Sequence, residues 1–331
     1  MTKPHAEVYA PEYGPSHFSN HSPMALLALK RLGGGEQQLH SFKSESLKNL
    51  ERNPSEQTIA EIKEDNFEAL LGKRQNYLGY LAYFKEHIVI GKDLPKLDVL
   101  VTGVSASAFH ALIRTAYGLD AQDISEIAAG LAYWADSHLV VVAEDKTSVS
   151  SSRDTIAALG DEILQNKLDG ELEQLPSNEA IFGQMGITAG DELRQSYIQR
   201  AVNVTDPFLD ELRQLSLKLF LHSNNFTALH TVTASHAARL VLPYIRDQET
   251  FIRQFNAGVT AAVLTIPNND FTIPTSAGQY KILTVEELQK RGASATDSHD
   301  IKFVYSCLEE YHHYRDTRYL EAASLWLSRK S

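Results

Sequence analysis

The spacing of apolar residues constrains this chain most strongly, because it follows the helical period through most of the sequence. Apolar residues recur three or four positions apart in residues 76–89, 124–134 and 230–245, which is the pattern of a helix with a buried face. Alternation with a period of two, the sign of a half-buried strand, is scarce. The sequence therefore predicts an all-α fold.

The domain organisation follows from length and from one break in the pattern. With 331 residues, 43% hydrophobic and 22% charged, the chain has an ordinary globular composition and is long enough for one large core. Residues 148–189 are Ser-rich at first and acidic later, and they lack helical periodicity. We therefore expect one helical domain over residues 1–331, with 148–189 as a connector and a pocket between two helical halves.

Local signals place several helix boundaries. A helix is predicted to begin at Ser22, with Pro23 in its first turn, and to end before Gly33. The apolar spacing of residues 56–71 predicts a second helix. Residues 94–117 predict one or two more.

Charge and cysteine content narrow the partners and the location. The formal net charge is −11, from 31 basic and 42 acidic side chains, which disfavours nucleic acid and anionic membranes. The single cysteine, Cys307, permits neither an intrachain disulfide nor a cysteine-rich zinc site. The first residues lack a signal-peptide layout, and no apolar run reaches the roughly 18 residues of a membrane span. A cytoplasmic protein without a nucleic-acid or membrane partner is expected.

Histidine supplies the main functional signal. The chain has 13 histidines, and several lie in apolar, helix-patterned segments that are far apart in the sequence. A buried imidazole needs a polar partner, and a metal ion is one partner that several imidazoles can share, because neutral imidazole suits zinc, iron, copper and nickel. The histidines in such segments are His21, His110, His230, His236 and His299.

Spacing ranks these candidates. His17 and His21 are four residues apart, but Pro23 disfavours helical geometry just before it, so both precede the helix. His230 and His236 are six apart, which on a regular helix places them about 120° apart around the axis. They therefore do not both point at one atom, and His230 is the better candidate.

The remaining candidates have ordinary structural alternatives. His110, alone in an apolar segment, is more often a core residue than a ligand. His299 and Lys302 are three residues apart and share a helix face. Asp297 and Ser298 would begin that helix, and its alternative interpretation is a solvated helix start. Aromatic residues near these segments could line a slot for a flat ligand or simply fill the core: Phe18, Tyr77, Tyr80, Phe109, Tyr117, Phe226 and Tyr305.

Taken together, five segments in order resemble the questin oxidase-like family over residues 17–326. The segments are SHFSNHSPMALLALKRLG, SASAFHALIRTAYGLD, LAYW, FTALHTVTASHAARLVLP and SHDIKFVY. That family includes fungal enzymes that oxidatively open anthraquinone rings, and bacterial relatives of mostly unassigned role. The resemblance implies a mainly helical oxidoreductase, an oxygenase that uses dioxygen on a small aromatic or quinone-like substrate, with ring cleavage as one outcome.

The resemblance also implies a metal site. In the family, a mononuclear non-haem iron is held by four histidines and a lysine carboxylated on its ε-nitrogen. A carbamate oxygen supplies the hard anionic ligand that neutral imidazoles lack, and its formation requires a lysine with a depressed pKa. Carried onto this chain, the metal-binding residues are His21, His110, His230, His299 and carboxylated Lys302, with His236 and His17 in reserve.

The sequence is also compatible with other cofactors and functions. NADPH is implied by the family, yet the chain has no nucleotide-binding fingerprint and no G-x-S-x-G nucleophile motif. A zinc-dependent hydrolase with the same ligands is one alternative to an Fe(II) enzyme. A metal-free helical protein that binds small molecules is another. The sequence assigns no catalytic residue, substrate or reductant, and it is compatible with a homo-oligomer.

Overall fold

A computed structural model describes residues 4–54, 59–89, 93–142, 154–172, 179–188, 190–272 and 280–329. Within these ranges the chain is mainly helical, which confirms the all-α prediction. Two short strands, β1 (Glu12–Tyr13) and β2 (Phe18–Ser19), form an antiparallel hairpin in which Glu12 pairs with Ser19. No helix in the described ranges is long and apolar enough to cross a membrane.

The helices vary from one turn to more than four turns. The α-helices are α1 (His5–Val8), α2 (Ser22–Arg31), α3 (Glu36–Ser46), α4 (Tyr77–His87), α5 (Leu97–Leu100), α6 (His110–Ala121), α7 (Ile124–Asp136), α8 (Ile156–Leu168), α9 (Ile181–Thr188), α10 (Glu192–Val202), α11 (Leu209–Ser223), α12 (Phe226–Val241), α13 (Gln248–Leu264), α14 (Val285–Ser294), α15 (Ser298–Tyr314) and α16 (Arg318–Ser328). Single-turn 3-10 helices span Leu47–Asn49, Glu68–Leu70, Val101–Gly103, Leu242–Tyr244 and Asn268–Asp270.

The centre of the molecule is a set of helices from both ends of the chain. α6 packs between α7 and α12, and α12 also contacts α11 and α15. α15 in turn packs against α2 and α16. Helices from the first and last thirds of the sequence therefore share one core, and their N-terminal ends can meet.

Side-chain caps explain where several of these helices begin. Asp123, Asn225, Asp247, Thr284 and Asp297 each accept a hydrogen bond from a backbone N–H in the first turn of α7, α12, α13, α14 and α15, respectively. Such a cap contributes about 1 kcal/mol to helix stability. The polar residues seen at these positions in the sequence are therefore start signals, as predicted for Asp297.

Two glycines bring α6 and α7 unusually close together. A Cβ at Gly130 would lie 2.4 Å from the backbone nitrogen of Thr115, and a Cβ at Gly118 would lie 2.6 Å from that of Ile127. Only glycine permits this approach of backbone to backbone. The contact holds the middle of α6, the helix that begins at His110, against α7.

The prediction of a helix over residues 56–71 is wrong for those of its residues that the structure describes. Residues 59–63 are not helical, and only the single turn Glu68–Leu70 forms later in this segment. Ile62 and Phe67 are nevertheless buried, because the segment lies against α4, where Gly79 leaves room for it. The apolar spacing therefore comes from burial of a loop. Residues 55–58 lie outside the described ranges.

Other predicted segments differ in detail. α3 was not predicted from the sequence, and it has no buried residue. Residues 94–117 contain α5, a 3-10 turn and the start of α6 rather than continuous helix. The predicted connector, 148–189, includes α8 and α9. α8 packs on α11, while residues 143–153, 173–178 and 189 lie outside the described part of the chain.

Gly130→Ala tests the close approach of α6 and α7. The added methyl group would collide with the Thr115 backbone, so we expect the free energy of unfolding to fall by about 1–3 kcal/mol. Urea denaturation measures the change. Gly186→Ala is the matched control, because a Cβ there meets nothing within 4 Å; an equal loss in both variants would contradict the packing account.

Candidate functional site

Four histidines from distant parts of the chain contact one another. The ring centroid of His21 lies 4.7 Å from that of His110 and 4.5 Å from that of His299. The ring of His230 lies 4.9 Å from that of His110 and 5.6 Å from that of His299. We call these four residues the histidine cluster. The structure thus brings together the four histidines that the sequence favoured.

Each member of the histidine cluster sits at or near the beginning of a helix. His21 directly precedes α2, and His110 is the first residue of α6. His230 lies in the second turn of α12, and His299 is the second residue of α15. The N-terminal end of a helix carries partial positive charge. Four such ends meeting at one place disfavour a further positive charge and favour an anion.

A strained turn aims His110 into the histidine cluster. Ser107, Ala108 and Phe109 have φ angles of 47°, 53° and 69°, so three consecutive non-glycine residues are left-handed. Each costs about 1–2 kcal/mol. Packing supports the turn, because the Phe109 ring lies edge-to-face on Phe255. Strain of this kind persists where surrounding structure enforces it, commonly at functional sites.

Hydrogen bonds fix which ring nitrogen carries the proton in three of the histidines. Nδ1 of His110 lies 2.5 Å from the carbonyl oxygen of Ser107, and Nδ1 of His230 lies 2.7 Å from that of Phe226. A carbonyl only accepts, so both Nδ1 atoms donate and both Nε2 atoms keep a lone pair. His299 Nδ1 likewise faces the Asp297 carboxylate at 3.0 Å.

His21 has the complementary arrangement. Its Nε2 lies 2.8 Å from Nε2 of His110, and because the latter holds a lone pair, His21 Nε2 must donate. Nδ1 of His21 lies 3.1 Å from the Ser298 hydroxyl, which can donate to it. The Nε2 atoms of His230 and His299 have no hydrogen-bond partner among the described residues. Partners on Nδ1 that leave Nε2 available are typical of metal-binding histidines.

Burial keeps these imidazoles neutral. It lowers the pKa of His21 and His110 well below the usual value, and the positive charge of Lys302 lowers both further. Burial also lowers the pKa of His230 to about 3 and, less strongly, that of His299. Neutral imidazole is the form that binds metal ions.

Lys302 lies beside the histidine cluster, where the negative charge of Asp297 offsets part of the effect of burial on its pKa. It is 3% exposed, it makes no hydrogen bond or ion pair with any described residue, and burial lowers its pKa to about 7. Lys167 offers a contrast, since it is equally buried but donates to the carbonyl oxygens of Leu172, Leu264 and Ile266. Lys302 is therefore a buried amine that is partly unprotonated at neutral pH.

A cavity of about 580 Å³ opens from the histidine cluster. The β1–β2 hairpin, α9 and the starts of α6, α12 and α15 form its walls, so it lies between the N-terminal and C-terminal halves, as predicted. Phe18 and Phe226 line it, whereas the other aromatic candidates are buried core residues. The described lining residues are Tyr13, His17, Phe18, Ser19, His21, Ser107, Ala108, His110, Glu179, Ala180, Ile181, Phe182, Gln184, Phe226, His230, Asp297, Ser298 and His299.

The two reserve histidines lie apart from the histidine cluster. His236 is buried further along α12, where its Nδ1 contacts the Glu310 carboxylate at 2.8 Å. His17 lies at the tip of the hairpin with Nδ1 3.2 Å from Glu12. Glu12 and Ser107 were not among the sequence candidates, because only the fold brings the hairpin next to the turn before α6.

The arrangement is not a preformed metal site. Among the described residues, no group of three or more histidine, cysteine, aspartate or glutamate side chains is placed so that it could hold an ion. In the histidine cluster this agrees with the direct hydrogen bond between His21 and His110, whose two Nε2 atoms face each other. The donor chemistry nevertheless fits a metal, with neutral imidazoles, available Nε2 atoms and an unpaired amine.

Fold and site together define an all-α protein with a histidine-lined cavity. The family model described as Questin oxidase-like matches residues 18–307, and the chain belongs to that family. A search of curated proteins gives no match. Family membership indicates an oxidoreductase that acts on small aromatic polyketides.

Acid titration of metal-free protein tests the buried, neutral state of His230. Its pKa is about 3 in the folded protein and ordinarily 6.5, so between these values only the unfolded chain takes up the proton and acid destabilises the fold. This one group should lower the free energy of unfolding by about 1 kcal/mol between pH 6.5 and 5.5. Urea denaturation at both pH values should show a smaller loss in His230→Asn than in the wild type. The same pH dependence in both proteins would contradict a buried, neutral His230.

Proposed function

We propose that this protein is a non-haem iron-dependent oxygenase that acts on an aromatic or quinone-like small molecule. One observation carries the proposal: four neutral imidazoles meet at an aromatic-lined cavity, beside a buried lysine that forms no hydrogen bond with the described residues. Core histidines usually pair with ordinary polar groups, and a buried lysine without a partner is costly.

The proposed metal-binding residues are the histidine cluster and Lys302. Fe(II) held there would supply the redox chemistry with dioxygen that aromatic ring oxidation requires. Metal binding needs a change at His21, because its Nε2 proton now occupies the bond to His110. Exchange to the other tautomer moves that proton to Nδ1, where the Ser298 hydroxyl at 3.1 Å can accept it. Ser298 would then hold His21 in the metal-binding tautomer.

Lys302 is proposed to carry a carboxyl group on its ε-nitrogen. The unprotonated amine attacks CO₂, an N–C bond forms, and the nitrogen loses a proton to give an anionic carbamate. A pKa near 7 makes the reactive amine abundant at neutral pH. The four helix N-termini around the site stabilise the negative charge. The carbamate thereby converts a buried cation, which the site disfavours, into an anion that it favours.

The cavity is proposed to bind the substrate. Its volume of about 580 Å³ is within the usual range for small-molecule sites. Phe226 packs against the rings of both His230 and His299, at 4.7 and 4.6 Å between centroids, and Phe18 is 54% exposed although it is apolar. These two rings offer apolar faces to a flat aromatic molecule.

Lys302→Ala tests the ligand assignment, with metal content by mass spectrometry as the readout. After loading with ferrous iron and bicarbonate, wild-type protein should hold about one iron per chain, and Lys302→Ala and His299→Ala should bind it on the order of 100-fold more weakly while staying folded. Lys167→Gln is the matched control. It removes the other buried lysine, so it should cost stability and leave the iron content unchanged.

The same preparations distinguish the rival functions. Iron-dependent oxygen consumption with hydroxyanthraquinones would support the oxygenase. Tight zinc binding with oxygen-independent hydrolysis would favour a hydrolase, and an intact cavity without any metal would favour a binding protein. A fully iron-loaded, active Lys302→Ala protein would overturn the proposed ligand set.

A further inference from the structure

The tip of the β1–β2 hairpin holds a second chemically active group over the cavity. The hairpin loop runs through Gly14, in the left-handed region with φ 71°, to His17, which is also left-handed with φ 52°. The backbone nitrogen of His17 donates to the carbonyl oxygen of Gly14 at 3.1 Å. Tyr13, His17, Phe18 and Ser19 all line the cavity. The hairpin is therefore one wall of the cavity, and His17 lies on it.

Glu12, near the cavity, is a carboxylate with four side-chain partners. Its Oε1 accepts from the Ser107 hydroxyl at 2.5 Å and from the Tyr133 hydroxyl at 3.1 Å. Its Oε2 pairs with Arg74 and lies 3.2 Å from Nδ1 of His17. The side chain is 11% exposed. Because the donors come from four separate segments, the carboxylate is fixed in place, and His17 meets a rigid partner.

This pairing leaves the other nitrogen of His17 free for a ligand. A carboxylate facing Nδ1 favours the tautomer with the proton on Nδ1 and a lone pair on Nε2. The His17 side chain forms no other hydrogen bond or ion pair with the described residues. Its side chain is 54% exposed at the cavity wall, so a bound molecule can reach it. A fixed carboxylate that orients an imidazole toward a cavity is an arrangement suited to proton transfer.

The charges around the cavity indicate which kind of ligand would need a proton acceptor such as His17. No lysine or arginine is among the described lining residues, whereas Glu179 and Asp297 are. Arg74 is engaged by Glu12 and by the face of Phe182, 4.2 Å from the ring centroid. The histidine cluster is neutral. A preformed organic anion would therefore meet two carboxylates in the cavity wall, and a neutral phenol would bind there more easily.

We propose that Glu12 and His17 form an acid–base dyad that takes a proton from a phenolic hydroxyl of the bound molecule. The inference rests on the proposed function, since it assigns a role toward the ligand of the same cavity. In the step, the O–H bond breaks, its electron pair stays on the phenolate oxygen, and a new N–H bond forms at His17 Nε2. Glu12 stabilises the resulting imidazolium through Nδ1. His17 is the acid–base group, and Glu12 is a positioning residue.

The experiment uses 1,8-dihydroxyanthraquinone as a probe, because its visible absorption changes when a hydroxyl ionises. Bound to chelator-treated full-length protein, the probe is titrated to find the pH at which half of it is ionised. His17→Gln should raise that pH by at least about one unit, which corresponds to a tenfold less favourable ionisation of the bound probe. Glu12→Gln should also raise that pH. Added imidazole should restore the midpoint in His17→Ala.

His87→Gln is the matched control and should leave the midpoint unchanged. His87 lies away from the cavity, where its ring stacks on Tyr83 and its Nδ1 bonds the Tyr83 carbonyl oxygen. A probe that binds His17→Gln and wild type with the same midpoint would overturn the dyad and leave the proposed function standing. Failure of wild-type protein to bind the probe would count against both.

Nitrogen NMR of the ligand-free protein tests the dyad independently of the probe. Wild-type His17 should carry its proton on Nδ1, and Glu12→Gln should shift it toward Nε2. A wild-type His17 protonated mainly on Nε2 would overturn the proposal.

Discussion

The structure depends on keeping four imidazoles neutral beside a buried lysine whose pKa is lowered. His21, His110, His230, His299 and Lys302 meet where four helices begin. If two of them were protonated, the two positive charges would repel each other, and both would be repelled by the positive ends of the helix dipoles. Burial keeps the imidazoles neutral, and it lowers the pKa of Lys302 to about 7. The result is a group of imidazoles in which His21 Nε2 donates its proton to the lone pair of His110 Nε2, while the Nε2 atoms of His230 and His299 keep lone pairs that a cation could bind.

The surrounding fold is arranged around this constraint. Gly118 and Gly130 bring α7 against α6, and the strained turn at Ser107–Phe109 directs His110 inward. Glu12 bonds the hydroxyl of Ser107 in that turn, and it also contacts His17 on the hairpin. The geometry of the histidine cluster and that of the cavity wall are thus linked through a single carboxylate. In this account the N-terminal arm is part of the site.

The sequence predicted the helical fold because the helical period is a local pattern, whereas the set of four histidines and Lys302 was implied by the resemblance to the questin oxidase-like family. An imidazole in an apolar segment with helical spacing, as at His110 and His230, indicates burial. The six-residue spacing between His230 and His236 correctly indicated that His236 does not point at the same place as His230. Contacts between distant segments gave no local signal. Nothing in the sequence around Glu12 shows that it meets Ser107 or His17, and residues 56–71 carry helical spacing although those described pack mainly as a loop. The fold decides these features through tertiary packing.

Native mass spectrometry of anaerobic wild-type protein, supplied with ferrous iron and ¹³C-bicarbonate, tests the central claim most directly. The claim is that the histidine cluster and a carboxylated Lys302 hold one ion. We predict that iron and a labelled carboxyl group are gained together, one of each per chain, and that Lys302→Ala gains no label and binds iron on the order of 100-fold more weakly. Iron bound without the label, or no iron under any loading condition, would contradict it.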